Sequence, residues 1–414
     1  MLLPPVLEIF VVWHPDDESG ATVAEWLLDH FHGTAFSGLI GGAVEVYTRS
    51  TPWLGDDGPP RPLPFAGGQP ASLESPTVTV VIPVLSAHLA RAVEDNHAWS
   101  GWIADLAAGA SERTGMHVFP LRAPDAKIDG TALGDMLNGP QRLPDPCAVD
   151  RGVLGREVAQ AIVQRISGNE GDPLQVFVSH TKRHSPDEEP DHVTRLVDQV
   201  RAFLANTRLV DFFDETSLQV GEDWEERLVT EASRGCLLMV RTDLYAGRTM
   251  CQREVRVAKE AGVPVVELRA VTGHQERGSF LLDHVPSVQA NLTADMTDDE
   301  LAAATGGAIK RAVNMLVDEA LKRALWIHQQ ERLIGDGFDW LPGHAPEPLT
   351  ALRYLADHPS ALEGGLCVVL HPDPPLLPDE KDAMDALFRL AGLDGTVDIV
   401  TPRTFAQRGG RIAP

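Results

Sequence analysis

Cysteine is scarce in this chain and never clustered: Cys147, Cys236, Cys251 and Cys367 are the complete set, and no two form a Cys-x-x-Cys pair. The spacing of a structural zinc site or a disulfide framework is therefore missing, and the pattern fits a reducing, cytoplasmic setting. Long hydrophobic runs are missing too. The longest, such as VTVVIPVL and GCLLMV, have the length of a strand. They fall far short of the roughly 20 apolar residues that carry a helix across a bilayer, so no membrane partner is expected. The opening MLLPPVLEIFVVWHPDDE has no basic leader and no small-residue cleavage site, and reads as a strand instead of a signal peptide. Positive charge is in deficit: 35 Lys and Arg face 60 Asp and Glu, a net charge of −25. That balance repels phosphate backbones and anionic lipid and argues against direct nucleic-acid binding. A glycine-rich phosphate loop is also absent, which removes an ATP-driven switch within the chain.

What is present is the composition of a soluble globular protein, 43% hydrophobic and 23% charged over 414 residues, a length suited to two or three domains. Three stretches share one form: IFVVWHPDD from Ile9, VFVSHTKRH from Val176 and LCVVLHPDP from Leu366. Each is an apolar, β-branched run that ends in a histidine and a polar loop and leads into an amphipathic helical pattern. This is the opening of a parallel α/β unit, with the polar loop at the C-terminal edge of its strand. The first two copies run on in step through a second strand (AVEVYTRS; RLVDFFDE), a third (TVTVVIPVLS; GCLLMVRTDL) and a fourth with matching ends, MHVFPLRA and VPVVELRA. The expected fold class is α/β, made of repeated parallel-sheet, flavodoxin-like modules. Module one spans residues 1–170, module two 173–340 including a C-terminal helical extension, and a partial third module 350–414.

Within module two, GRTMCQREVRVAKEAG (residues 247–262) reads as a helix with one carboxylate on the wrong side. Residues three and four positions away are neighbours on a helix, so Glu254 is flanked by Met250, Cys251, Val257 and Ala258. Arg248, Arg253, Arg256, Lys259 and Glu260 are expected to form the solvent face. A charged group aimed at a core is ordinarily a structural residue that reaches water or an arginine; the alternative is a group placed for chemistry.

The surroundings of Glu254 favour chemistry. VFVSHTK, VDFFDETSLQVGEDWEERLVTEASRG, CLLMVRTDLYAGRTMCQREV and GVPVVELRAV follow one another in the order and spacing of a TIR (Toll/interleukin-1 receptor) domain, which module two resembles over residues 173–290. Where that family often has Ser-x-x-Trp-Cys-x-x-Glu, this chain has Gly247 through Glu254, keeping Cys251 and Glu254 and placing Met250 at the Trp position. The resemblance implies a TIR/Rossmann-like fold and, as in the enzymatic members, NAD+ glycohydrolase activity with Glu254 as the catalytic residue. NAD+ is then the substrate and no further cofactor is needed. The same resemblance implies that Phe177, Ser179, His180, Lys182, Asp214, Trp224, Tyr245 and Cys251 line the nucleotide pocket. It also implies activation by homo-oligomeric TIR–TIR assembly, an activator of unspecified identity, and a role as a bacterial antiphage effector that depletes NAD+ or makes a nucleotide signal. The product, ADP-ribose or a cyclic isomer, is open. Many TIR domains are adaptors without activity, and fold does not fix function, so a scaffold in which Glu254 is structural is the rival reading.

Module one offers a second motif and a weaker case. His14 to Glu18, HPDDE, resembles the zinc-binding motif of LmbE/PIG-L type deacetylases, in which a His and an Asp hold the metal while another Asp acts as base. A third ligand is required, and His30, His32, His88, His97 and His117 show no suitable pairing in sequence, so no metal site is assigned and the deacetylase ranks third. The counterpart of the Glu254 helix, NHAWSGWIADLAAGA, carries Trp99 and Trp102 but has only Asp105 as a nearby carboxylate. Module one is accordingly expected to be a degenerate TIR-like module that supplies a packing or recognition surface.

Overall fold

The computed structural model describes residues 5–33, 36, 44–53, 55, 57–63, 78–112, 115–137, 142–167, 172–181, 190–211, 235–272, 278–293, 296–333, 337–358, 367–392 and 397–411. The β-branched runs form strands. The first sheet contains β1 (Leu7–Val12), β2 (Val44–Arg49), β3 (Val78–Leu85), β4 (Met116–Val118) and β5 (Leu121–Arg122), in the order β2-β1-β3-β4 with β5 also on β3. The second contains β6 (Gln175–Ser179), β7 (Val210–Asp211), β8 (Gly235–Arg241), β9 (Val265–Arg269) and β10 (Ser287–Gln289), in the order β10-β9-β8-β6-β7. All pairings between these strands are parallel. Counted from its own first strand, the second sheet runs 2-1-3-4-5 and the first 2-1-3-4, the flavodoxin-like order, whose ligand crevice lies where the chain reverses direction across the sheet. That reversal falls between β1 and β3 in the first sheet and between β6 and β8 in the second. The central strand β3, VTVVIPVL, is buried at every position, as a strand covered on both faces requires.

Helices α1 (Glu18–Phe31), α2 (Ala87–Asp95), α3 (His97–Glu112), α4 (Ala132–Leu137) and α5 (Arg151–Ile166) accompany the first sheet, and α6 (Pro190–Ala205), α7 (Thr249–Glu260) and α8 (Asp298–Leu333) the second. Asp17 starts α1 by accepting a bond from the backbone N–H of Ser19 at 3.1 Å, the role of an N-cap. Helix α5 is buried nearly all round, from Leu154 through Gln160 and again at Ile162, Val163 and Ile166, which marks it as an interior helix and not a surface one. It lies against α8, and the first two modules share one buried apolar cluster that runs from Val6 to Leu325. Polar contacts tie the same seam: Lys310 to Asp150 at 2.6 Å, Asn314 to the Gly152 carbonyl at 3.1 Å and His30 to Asp318 at 3.1 Å. Gly155 sits where any side chain would press to 2.8 Å from the His30 ring, so α5 approaches α1 only because that position is glycine.

The C-terminal region holds α9 (Pro348–Asp357), β11 (Cys367–Leu370), α10 (Pro378–Leu390), β12 (Val397–Val400) and α11 (Pro402–Gln407), with β11 and β12 paired in parallel. Its small core of Ala351, Leu355, Val369, Met384, Phe388 and Ile399 is separate from the larger one. The long helix α8 reaches it: Trp326 is fully buried against Val368, Leu370 and Val400 and donates its indole N–H to the Pro342 carbonyl at 2.7 Å.

Candidate functional site

Ser179 is the last residue of β6, and Tyr245 and Glu254 follow β8, so all three sit where the second sheet changes direction. A bond of 3.4 Å between the Thr181 and Thr242 hydroxyls joins the two strand ends there. A turn over Tyr245–Gly247 leads into α7, whose start is fastened by Gln252 donating its side-chain N–H to the Ala246 carbonyl. Helix α7 lays Cys251, Val255, Val257 and Ala258 into an apolar cluster with Phe177, Leu237, Met239 and Tyr245, and this is the core against which Glu254 is placed.

Glu254 is 7% exposed, and Ser179 Oγ donates to its Oε2 at 2.5 Å. Ser179 Oγ also lies 2.5 Å from Tyr245 Oη. A hydroxyl has one proton to give; with that of Ser179 given to the carboxylate, the tyrosine is the donor to the serine. The three residues make a directed chain, Tyr245 to Ser179 to Glu254, that ends on a carboxylate. Tyr245 is fully buried, which places it inside the core. Burial, with Cys251 and Glu254 nearby, holds its phenol well above the ordinary value, so it remains a donor. Burial, and then Glu254, pushes the Cys251 thiol up to about 12. It donates weakly to the His180 carbonyl at 3.6 Å and is a protonated packing group without nucleophile character.

The structure thus brings Phe177, Ser179, His180, Tyr245, Cys251 and Glu254 together at one sheet edge. Phe177 is in the apolar wall, and the ring of His180 reaches the Thr181 carbonyl at 3.2 Å. Lys182, Asp214 and Trp224 lie outside the described residues. Met250 is 48% exposed. Lys259 departs from the sequence expectation. Its helical position predicts the solvent face of α7, yet it is 5% exposed and paired with Glu347 at 3.2 Å, with its ammonium also on the Asp283 carbonyl at 2.5 Å. The reason is tertiary: the C-terminal region covers that side of the helix and supplies the counter-charge from 88 residues away.

No protein-family model matches this chain, and no curated protein matches it.

The first sheet has a different set at the equivalent edge. His14 and His88 stack with ring centroids 5.9 Å apart, and a ligand atom from each of His14, Asp16 and His88 lies within 4.8 Å of the others. These are the residues through which this edge could hold a metal ion. Sequence spacing gave no reason to choose His88, which reaches His14 only because α2 begins at the end of β3. Asp17 is engaged as the cap of α1. Burial lowers the pKa of His14, favouring the neutral, ligating imidazole. On α3, the counterpart of α7, Trp99 is buried and donates to the Asp57 carbonyl at 3.2 Å, while Asp105 is exposed.

Proposed function

We propose that the second module cleaves the nicotinamide–ribose bond of NAD+, with Glu254 as the catalytic carboxylate, and that it does so as an assembly-activated effector of the bacterial TIR type. The supporting observation is the carboxylate itself: a nearly buried Glu254, oriented by Ser179, at the point where a flavodoxin-like sheet receives its ligands. The chemistry asks for little more. When the glycosidic C–N bond breaks, its electron pair passes to the ring nitrogen of a cationic pyridinium, which leaves neutral and needs no general acid. The ribose is left with oxocarbenium character. A fixed negative charge beside it stabilises that positive charge, and does so more strongly in a site of low dielectric than in water. Water then adds to the anomeric carbon and loses a proton to give ADP-ribose, or an internal nucleophile closes a cyclic isomer. Ser179 and Tyr245 act as positioning residues that keep the carboxylate in one orientation.

A scaffold without activity is the second reading, and one observation favours it: Glu254 already has a hydrogen bond from Ser179 in a packed core, as a purely structural residue would. The two readings part in one experiment. Purified protein at high concentration, and cells overexpressing it, are assayed for NAD+ loss and nicotinamide release in the wild type and in Glu254→Gln. Loss of NAD+ that the substitution abolishes, with an unchanged melting profile, supports the enzyme. Activity that persists in Glu254→Gln moves the reaction elsewhere, and intact NAD+ in both settings favours the scaffold.

A further inference from the structure

A cavity of 570 Å³ opens between the second module and the C-terminal region, bounded by the end of α7, the start of β9, the middle of α8 and the loop after β11. Its size is that of a small-molecule site, which usually falls within roughly 300–1,000 Å³. Three basic side chains face it, and they differ in one respect. Lys259 is paired with Glu347 and Lys322 with Glu319 at 2.6 Å. The guanidinium of Arg323 has Nη1 buried with no hydrogen-bond partner among the described residues. Burial lowers its pKa, and among the described residues no carboxylate forms an ion pair with it.

The backbone around this group is shaped to admit it. A Cβ at Gly343 would come 2.6 Å from Nη1, and one at Gly262 would come 3.0 Å from Nη2. Two glycines from different parts of the chain therefore leave the slot that the guanidinium fills. Beside it, His344 Nε2 is also buried without a partner among the described residues. Its imidazole is kept neutral, its pKa lowered to about 4 by burial and then by Lys259, Arg323 and His371. Pro264, Pro346 and Pro374 give the cavity a flat apolar wall. Carboxylates of Glu319, Asp373 and Glu380 also line it, and none of them is hydrogen-bonded to Arg323 Nη1.

A guanidinium nitrogen buried without an acceptor is costly; a ligand that brings the acceptor removes that cost. The planar fork of arginine matches a carboxylate or phosphate through two parallel bonds. We propose that this cavity binds a small organic molecule bearing a phosphate or carboxylate group, with the anion on Arg323 and the apolar body against the prolines. The site is separate from Glu254 and stands whether or not the second module cleaves NAD+.

The test uses the full chain, with phenyl phosphate, benzoate and inorganic phosphate as probes in calorimetric titrations. The wild type is compared with Arg323→Gln and with Gly343→Ala, which keeps the charge but pushes the guanidinium out of its slot. The expected result is that phenyl phosphate or benzoate binds the wild type and is weakened about tenfold or more by Arg323→Gln, with a similar loss in Gly343→Ala. Unliganded Arg323→Gln should melt no lower than the wild type, since the charge it removes has no partner. Preference for phenyl phosphate assigns a phosphate ester, and preference for benzoate a carboxylic acid. The proposal is overturned if none of the probes binds, if both substitutions leave binding unchanged, or if inorganic phosphate binds as tightly as phenyl phosphate and the site is that of an adventitious ion only.

Discussion

Ser179→Ala removes a single oxygen from the middle of the Tyr245–Ser179–Glu254 chain, and its cost follows from what each end loses. Glu254 forfeits a hydrogen bond at 2.5 Å to a charged acceptor, worth about 1.5–3 kcal/mol. Tyr245 Oη keeps its proton but loses its acceptor at 2.5 Å, in a side chain that is fully buried; an unpaired buried donor costs about 1–3 kcal/mol. Ser179→Ala should therefore lower stability by roughly 2.5–6 kcal/mol. Tyr245→Phe removes only the outer link and leaves the serine proton on the carboxylate, so it should cost less, about 0.5–1.5 kcal/mol. Urea titration of the full chain, followed by far-UV circular dichroism, gives both values on one scale. NAD+ turnover should fall in the same order, because an unheld carboxylate no longer meets the ribose in one orientation. If Tyr245→Phe costs as much as Ser179→Ala, the serine proton points to the tyrosine and the argued direction of the chain is wrong.

Three further outcomes are expected. Lys259→Met leaves Glu347 charged and buried, and should cost about 3–5 kcal/mol in thermal unfolding, with Lys259→Met/Glu347→Leu recovering most of it; a double variant as unstable as the single would show that the pair is not what matters. His344 and His371 are each pushed down to about 4 from 6.5 by burial, so the neutral form is the one the fold accepts. Their contribution is complete above the unfolded value of 6.5 and is lost as pH falls from there through about 4, on the order of 3 kcal/mol per histidine. Melting temperatures that stay level across this window would refute it. Finally, the proposed NAD+ cleavage at Glu254 calls on no metal and should be indifferent to EDTA; activity lost on chelation would turn attention to His14, Asp16 and His88.

The parts of this protein that depend on local pattern were readable in the sequence. Runs such as VTVVIPVL could only be buried strands, and the repeated strand–histidine–helix form led to two parallel sheets of the same order. The burial of Glu254 followed from the apolar neighbours three and four places away. What stayed hidden depends on partners remote in the chain. Lys259 looks like a surface lysine until Glu347 arrives from the C-terminal region, and His88 is one histidine among many until β3 carries it to His14. Arg323 lies on a long helix whose sequence gives no sign that two glycines elsewhere will close around its guanidinium. Ser179 and Tyr245 were chosen as pocket residues through family resemblance, and the hydrogen bonds that join them to Glu254 could not be inferred from spacing.

Helix α7 has a mechanical consequence. Glu254 and Lys259 are five residues apart on it, which sets them about 7.5 Å apart along the axis and about 140° around it. One faces the second sheet's reversal point, the other the C-terminal region and its cavity. A packed helix of 12 residues moves as one piece in a medium as dense as a protein interior. Whatever tugs on the lysine turns the same shaft that aims the glutamate, so the far end of the chain has a handle on the candidate reaction centre without touching it.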